Sequence, residues 1–212
     1  MNIANPSLGL ASVGTTASAI GAPDANVVSL GDGGSITVTF DKAITNGVGN
    51  DFAVFENGFL SSGLVFAELG FVEVSSNGTD FFRFASTSLT QTTTQIGGFG
   101  TLDPTKINNL AGQFASGEGT AFDLNELAGV SSLLDVNSVT HVRIVDVVGS
   151  INDQYATRDS LGNKINDPWT TPFASSGFDL DAVGVIHAVP EPSALIALVL
   201  GAGIFVRRKR TK

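Results

Sequence analysis

Cysteine is absent from the 212 residues, which excludes disulfides, thiolate metal sites and a cysteine nucleophile together. The fold must rest on packing and hydrogen bonds, and 15 Phe against one Trp and one Tyr supply much of the core. Histidine is scarce too: His141 and His187 come with no Gly-x-Ser-x-Gly elbow and no His-Glu-x-x-His pair. A serine–histidine–carboxylate triad and a zinc site therefore lack sequence support. Basic residues are few, with 6 Lys plus Arg against 19 Asp plus Glu before residue 190. That acidity argues against binding a phosphate backbone, and so against nucleic acid, and against docking on anionic lipid. It suits cation binding or solubility among neutral sugars. The opening "MNIANPSLGLASVGTTASAIGAPD" shows no positive n-region and no apolar stretch of the secretory kind, and the first basic residue is Lys42.

What the chain does have is alternation. "GDGGSITVTFDK" sets Ile36, Val38 and Phe40 on one face and Thr37 and Thr39 on the other, as a half-buried strand entered through a glycine turn. "DFAVFENG" predicts a strand over Phe52–Glu56. "FAELGFVEVSSNGTDFFRFA" predicts a hairpin turning at Asn77-Gly78, with Phe82 and Phe84 on one face. "THVRIVDVV" alternates with Val142 and Ile144 inward, and "FDLDAVGVIHAV" reads as a closing strand. Residues 86 to 135 have weak periodicity, with one short helix expected in "FDLNELAG", capped by Asp123. Residues 149 to 177 form a long polar loop. Short strands with a single marginal helix predict an all-β sandwich of about 190 residues, as one domain or at most two.

The end of the chain is different. Pro190-Glu191-Pro192 is followed by an apolar run, Ala194 to Val206, and then by Arg207, Arg208, Lys209 and Arg210. A polar face is missing from the run, and its basic stop is that of a membrane segment, although about 20 apolar residues make a comfortable span. This order of parts resembles the PEP-CTERM sorting signal of Gram-negative bacteria. The resemblance implies a transmembrane sorting helix that holds the protein in the inner membrane until an exosortase-type enzyme acts near Pro190, Glu191 and Pro192. It divides the chain into a sandwich over 1–189 and a sorting signal over 190–212. Export to the cell surface or extracellular matrix follows.

The body carries a second resemblance. "VEVSSNGTDFFRF" followed by "THVRIVDV" is similar to discoidin-type, galactose-binding-like jelly rolls. "GAPD", "VSLGDGGSITVTF", "DFAVFENGF" and "GFDLDAVGVIH" look like a group of bacterial cell-surface proteins. The implied fold is a jelly-roll-like β-sandwich with long loops.

Three kinds of site are legible. Asp179 and Asp181 share a face by the period of two, Asp51 and Glu56 flank one strand, and Asp24 sits in a Gly-Ala-Pro-Asp turn. Oxygen-rich loops of this sort suit Ca2+, which jelly rolls of the resembled type often carry. Tyr155 and Trp169 share the long loop with Arg158, as a sugar platform or, for Trp169, as a plug at the end of the sandwich. Glu68 and Glu73, five apart, are expected on opposite sides of one strand, Glu73 solvated and Glu68 at its edge. The function expected is a non-catalytic adhesion or carbohydrate-binding module associated with exopolysaccharide, the alternative being a β-sandwich enzyme acting on polysaccharide.

Overall fold

The computed structural model describes residues 1–190. The expected sorting signal from Glu191 onward, with Pro192, the apolar helix, Arg207 and Arg208, lies outside the described residues. Among those described, no helix is long and apolar enough to cross a membrane.

The strands are β1 (Val28–Ser29), β2 (Ser35–Ile44), β3 (Phe52–Glu56), β4 (Phe59–Ser61), β5 (Leu64–Phe66), β6 (Gly70–Ser75), β7 (Phe82–Arg83), β8 (Thr87–Ser88), β9 (Ile107–Asn108), β10 (Thr120–Phe122), β11 (Val139–Asp146) and β12 (Asp179–Val185). Eight of them form two four-stranded sheets, β1-β12-β3-β10 and β2-β11-β6-β7, and every pairing is antiparallel. The protein is thus an antiparallel β-sandwich. Alternation explains the layers: Val142 and Ile144 of β11, Val72 and Val74 of β6, and Phe52 and Val54 of β3 all point between the sheets. Phe52, Phe84 and Phe122 pack there with ring centroids 5.0–6.0 Å apart.

The Asn77-Gly78 hairpin forms between β6 and β7, pairing Glu73 with Arg83 and Val74 with Phe82. Its loop is wider than a two-residue turn because Ser75 Oγ and Asn77 Oδ1 each accept two backbone N–H bonds around Gly78, at φ +75°. The short helix expected in "FDLNELAG" is a single 3-10 turn, Leu124–Leu127. Asp123 caps it by accepting from the N–H of Asn125, and the turn stops once Leu124 and Leu127 are buried.

β6 is buried on both faces, which its alternating sequence does not reveal. Its outward Phe71 belongs to a second core with Leu69, Leu102, Ile107, Leu110 and Ile165. Leu102, Ile107 and Leu110 from residues 86 to 115 and Ile165 from the 149–177 loop join that core, so these stretches form an extra layer over one sheet. Glu73 is not solvated, in contrast to the sequence expectation. Arg143 and Arg83 sit directly across from it on the strands to either side, and their Nε atoms donate to its carboxylate at 2.5 and 2.9 Å. Glu68 lies before β6 begins and is also buried.

Candidate functional site

β3 ends at Glu56 where β12 begins at Asp179, since Leu180 pairs with Glu56 and Val185 with Phe52. Three loops converge over this end of the sandwich. The β4–β5 hairpin brings Phe59 and Phe66, the first insertion brings Gly98 and Phe99, and the 149–177 loop brings Thr171, Phe173 and Ser175. Together they enclose a pocket of about 190 Å³. Four phenylalanines run along its wall in contact, Phe59 on Phe66 at 5.0 Å, Phe66 to Phe99 at 6.1 Å, and Phe99 to Phe173 at 5.0 Å. Phe66 is buried, but Phe59, Phe99 and Phe173 are 50%, 70% and 41% exposed. Rings held in place and left in water in this way form a surface that other matter can cover.

The charged lining is Glu68 and Asp179, with Asn57 beside them and no Lys or Arg. Behind it stand more carboxylates. Asp179 accepts from Ser29 Oγ and, at 3.0 Å, from Asn57 Nδ2. Glu56 Oε2 accepts from the Gly58 N–H at 2.6 Å, while Oε1 is buried without a partner. Gly58 is required here, because a Cβ would stand 2.4 Å from the Phe66 carbonyl oxygen. Burial pushes the Glu68 carboxyl up to about 11, reinforced by Asp179, Glu56, Asp146 and Asp167. Glu56 is raised well above its usual range by burial, then by Asp179 and Asp181. Asp179 is raised by burial against the pull of its two hydrogen bonds. Removing a carboxylate from water favours its neutral form, and no cation opposes that here.

The five residues expected to hold calcium are not gathered at one point. Asp51 lies at the far end of β3 from Glu56, roughly 16 Å away along the strand. There it accepts from the N–H groups of Gly47 and Leu124, both at 2.7 Å, and stands 2.8 Å from His187 Nδ1. Asp179 and Asp181 do not act on one face, because the register of β12 against β3 shifts between Leu180 and Ala182. This irregularity re-aims Asp181. Its two oxygens accept from the N–H groups of Asp24 and Ala25, at 3.1 and 3.2 Å. The Asp24 carboxylate itself turns back to Asn26. Among the described residues no three Asp, Glu or His side chains are grouped as a metal ion would need. The five side chains therefore do not converge on one point, whereas Ca2+ takes six to eight oxygens around itself.

Of the expected sugar platform, Tyr155 and Trp169 meet with ring centroids 5.8 Å apart. Trp169 is half-buried and its Nε1 donates to Asp32 at 3.3 Å. Arg158 points to Asp153 at 2.6 Å and to the Gly162 carbonyl. None of the three lines the phenylalanine pocket. Residues 57 to 179 contribute to that pocket, so no local spacing discloses it. The signal in the sequence is faint: phenylalanines set among glycine and small polar residues, as in "GGFG" and "TPFASS".

A second, larger cavity of about 630 Å³ follows the open edge of the sandwich at β2, lined by Ile36, Val38 and Phe40 and by Val183 of β12. Its lining also includes Thr16, Thr37, Thr39, Asp41 and Lys42, and it has no aromatic ladder of the kind that walls the smaller pocket.

Comparison with protein-family models, curated proteins and solved structures finds no match to this chain.

Proposed function

We propose that the protein is an exported, surface-directed binding module whose jelly-roll sandwich holds carbohydrate in the phenylalanine-walled pocket. The observation that carries this reading is the ladder of Phe59, Phe66, Phe99 and Phe173 around a small polar floor. Aromatic walls with a few placed polar groups are the usual composition of a small-ligand site, and about 190 Å³ suits one small unit rather than a drug-sized molecule. The strand order supports the jelly-roll reading. Counted along the chain, the eight strands of the two sheets run 1-8-3-6 and 2-7-4-5, the order of two interleaved Greek keys. Export and an exosortase-type partner rest on Pro190-Glu191-Pro192 and the basic tail. Extracellular polysaccharide is the ligand such an address brings within reach.

Glycan-array binding tests the reading. Phe99→Ala and Phe173→Ala, both at exposed rings, are expected to weaken binding about 10-fold or more each, as loss of 1–3 kcal/mol of apolar contact implies. Binding that both variants retain in full would sink the assignment of the pocket. A second reading, a β-sandwich enzyme acting on polysaccharide, is favoured by one observation. A carboxyl kept protonated at neutral pH, as Glu68 is, has the form a general acid needs. Release of reducing sugar that stops in Glu68→Gln would establish it in place of the binding module.

A further inference from the structure

We propose that the phenylalanine pocket takes a protonated amine borne on a sugar, the ammonium seated at Glu68 and Asp179 and the ring against Phe99 and Phe173. The inference rests on the carbohydrate reading above and names the class of sugar.

Three features point to a cation of this kind. Glu68 is 5% exposed and opens on the pocket, and no described residue donates a hydrogen bond to its carboxylate. A carboxyl to which no protein group donates is satisfied from the side on which it opens, and for Glu68 that side is the pocket. Asp179 stands in the same lining, and no basic side chain lines the pocket to answer either carboxyl group. The walls are phenylalanine rings, and the negative quadrupole of a ring face attracts a cation within about 6 Å of the ring centre.

The same features favour an ammonium over a metal ion. A calcium ion asks for six to eight oxygens, and the charged residues are not grouped to supply them. An ammonium has three donors to satisfy. Glu68, Asp179 and the amide oxygen of Asn57, whose Nδ2 is already turned to Asp179, are of the right number and kind. An N-acetylated sugar has lost this charge. The pocket therefore separates free amino sugars from their acetylated and neutral counterparts.

Binding an ammonium also asks Glu68 to give up its proton, which its burial and acidic neighbours hold at neutral pH. At a pH where the free amine is already charged, uptake of the ligand is then coupled to release of that proton to solvent, readable in buffers of different ionisation enthalpy.

The experiment is calorimetric titration of the full chain with fully deacetylated chito-oligosaccharides and with their N-acetylated equivalents of the same length. The deacetylated series is expected to bind at least about tenfold more tightly, a difference of 1.4 kcal/mol. It should release protons on binding and lose its advantage at high salt. Glu68→Gln keeps the size and neutrality of the protonated side chain, so it is expected to fold, confirmed by circular dichroism, and to bind both series alike. Asp179→Asn should act in the same direction.

Equal affinity of the wild type for both series would overturn the amine proposal and leave the carbohydrate reading standing. Failure to bind either series, or any other glycan, would remove both. Methylamine binding as tightly as the oligosaccharide would show that the sugar is not recognised. Heat of binding from calcium alone, abolished in Glu68→Gln, would assign the carboxylates to a metal instead.

Discussion

Glu68 carries its proton at neutral pH because burial removes its carboxyl from water, and the nearby Asp179, Glu56, Asp146 and Asp167 reinforce the shift. Asp146 is raised to about 8 by burial, although Gly33 and Phe178 donate to it, and Asp167 is raised well above its usual range for the same reason. All these shifts have one sign. A carboxyl whose folded pKa lies above its unfolded one binds an extra proton in the native state across the interval between them. Stability is full below the unfolded value, near 4, and falls as pH rises. Asp24, Asp103 and Asp153 are lowered by hydrogen bonds and exposed, and they act only below about pH 4. The melting temperature is therefore expected to fall between pH 5 and pH 8. The drop should be several degrees, since each such group contributes of order 1 kcal/mol per pH unit. Glu68→Gln should flatten that slope in a thermal scan. A wild type more stable at pH 8 than at pH 5 would contradict the assignment.

Among the elements, β6 is the one whose sequence pattern understates its burial. Its inner side chains, Val72 and Val74, enter the main core, and its outer ones, Phe71 and Glu73, are covered by the inserted layer and by arginines. Each guanidinium also covers a ring, Arg83 on Phe71 at 4.0 Å and Arg143 on Phe81 at 3.9 Å. The row Arg83–Glu73–Arg143 thus ties β7, β6 and β11 across the outer face. Both arginines are partly exposed, so the charge attraction alone is modest, and the hydrogen bonds to a nearly buried carboxylate contribute more. Glu73→Gln is expected to cost about 2 kcal/mol in urea unfolding. Ligand binding should stay unchanged, because Glu73 does not line the pocket. A loss of affinity equal to that of the phenylalanine variants would show that the pocket is not the only place the ligand touches.

At the scale of the molecule, the pocket and Pro190 lie at opposite ends of β12. Ile44 bridges to Ala188 and the Val189 N–H donates to the Ala43 carbonyl, so the chain is held against the end of β2 until it reaches Pro190. The pocket opens at Asp179 instead, about 20 Å away at 3.3 Å per residue. On the proposed sorting reading, a module anchored beyond Pro190 would carry the pocket at the end of β12 away from its anchor, and release of the tail should not disturb it. Protein extracted from the cell surface is expected to lack residues beyond the Pro190 region in intact mass spectrometry. Its affinity for oligosaccharide should equal that of the full chain. A mass that still includes Lys212 would argue against processing.

The sequence by itself determined the class of the fold and the places of its main strands. Alternation over Ile36–Phe40, Val142–Ile144 and Phe52–Glu56 follows from a sheet that is dry on one side, and the hairpin at Asn77-Gly78 follows from local turn chemistry. It also removed cysteine chemistry, since the composition has no cysteine. Only the tertiary structure decided which carboxylates meet. Asp51 and Glu56 are five residues apart and serve opposite ends of the sandwich. Glu68 and Asp179 are 111 positions apart in sequence and line one pocket. The phenylalanines that wall it come from three loops whose sequences have no period to read. Their positions depend on a second core around Phe71 and Ile165 that forms only when the insertions pack on the sheet. A period reports how one element meets the core, while a site built by loops depends on long-range packing that no local pattern encodes.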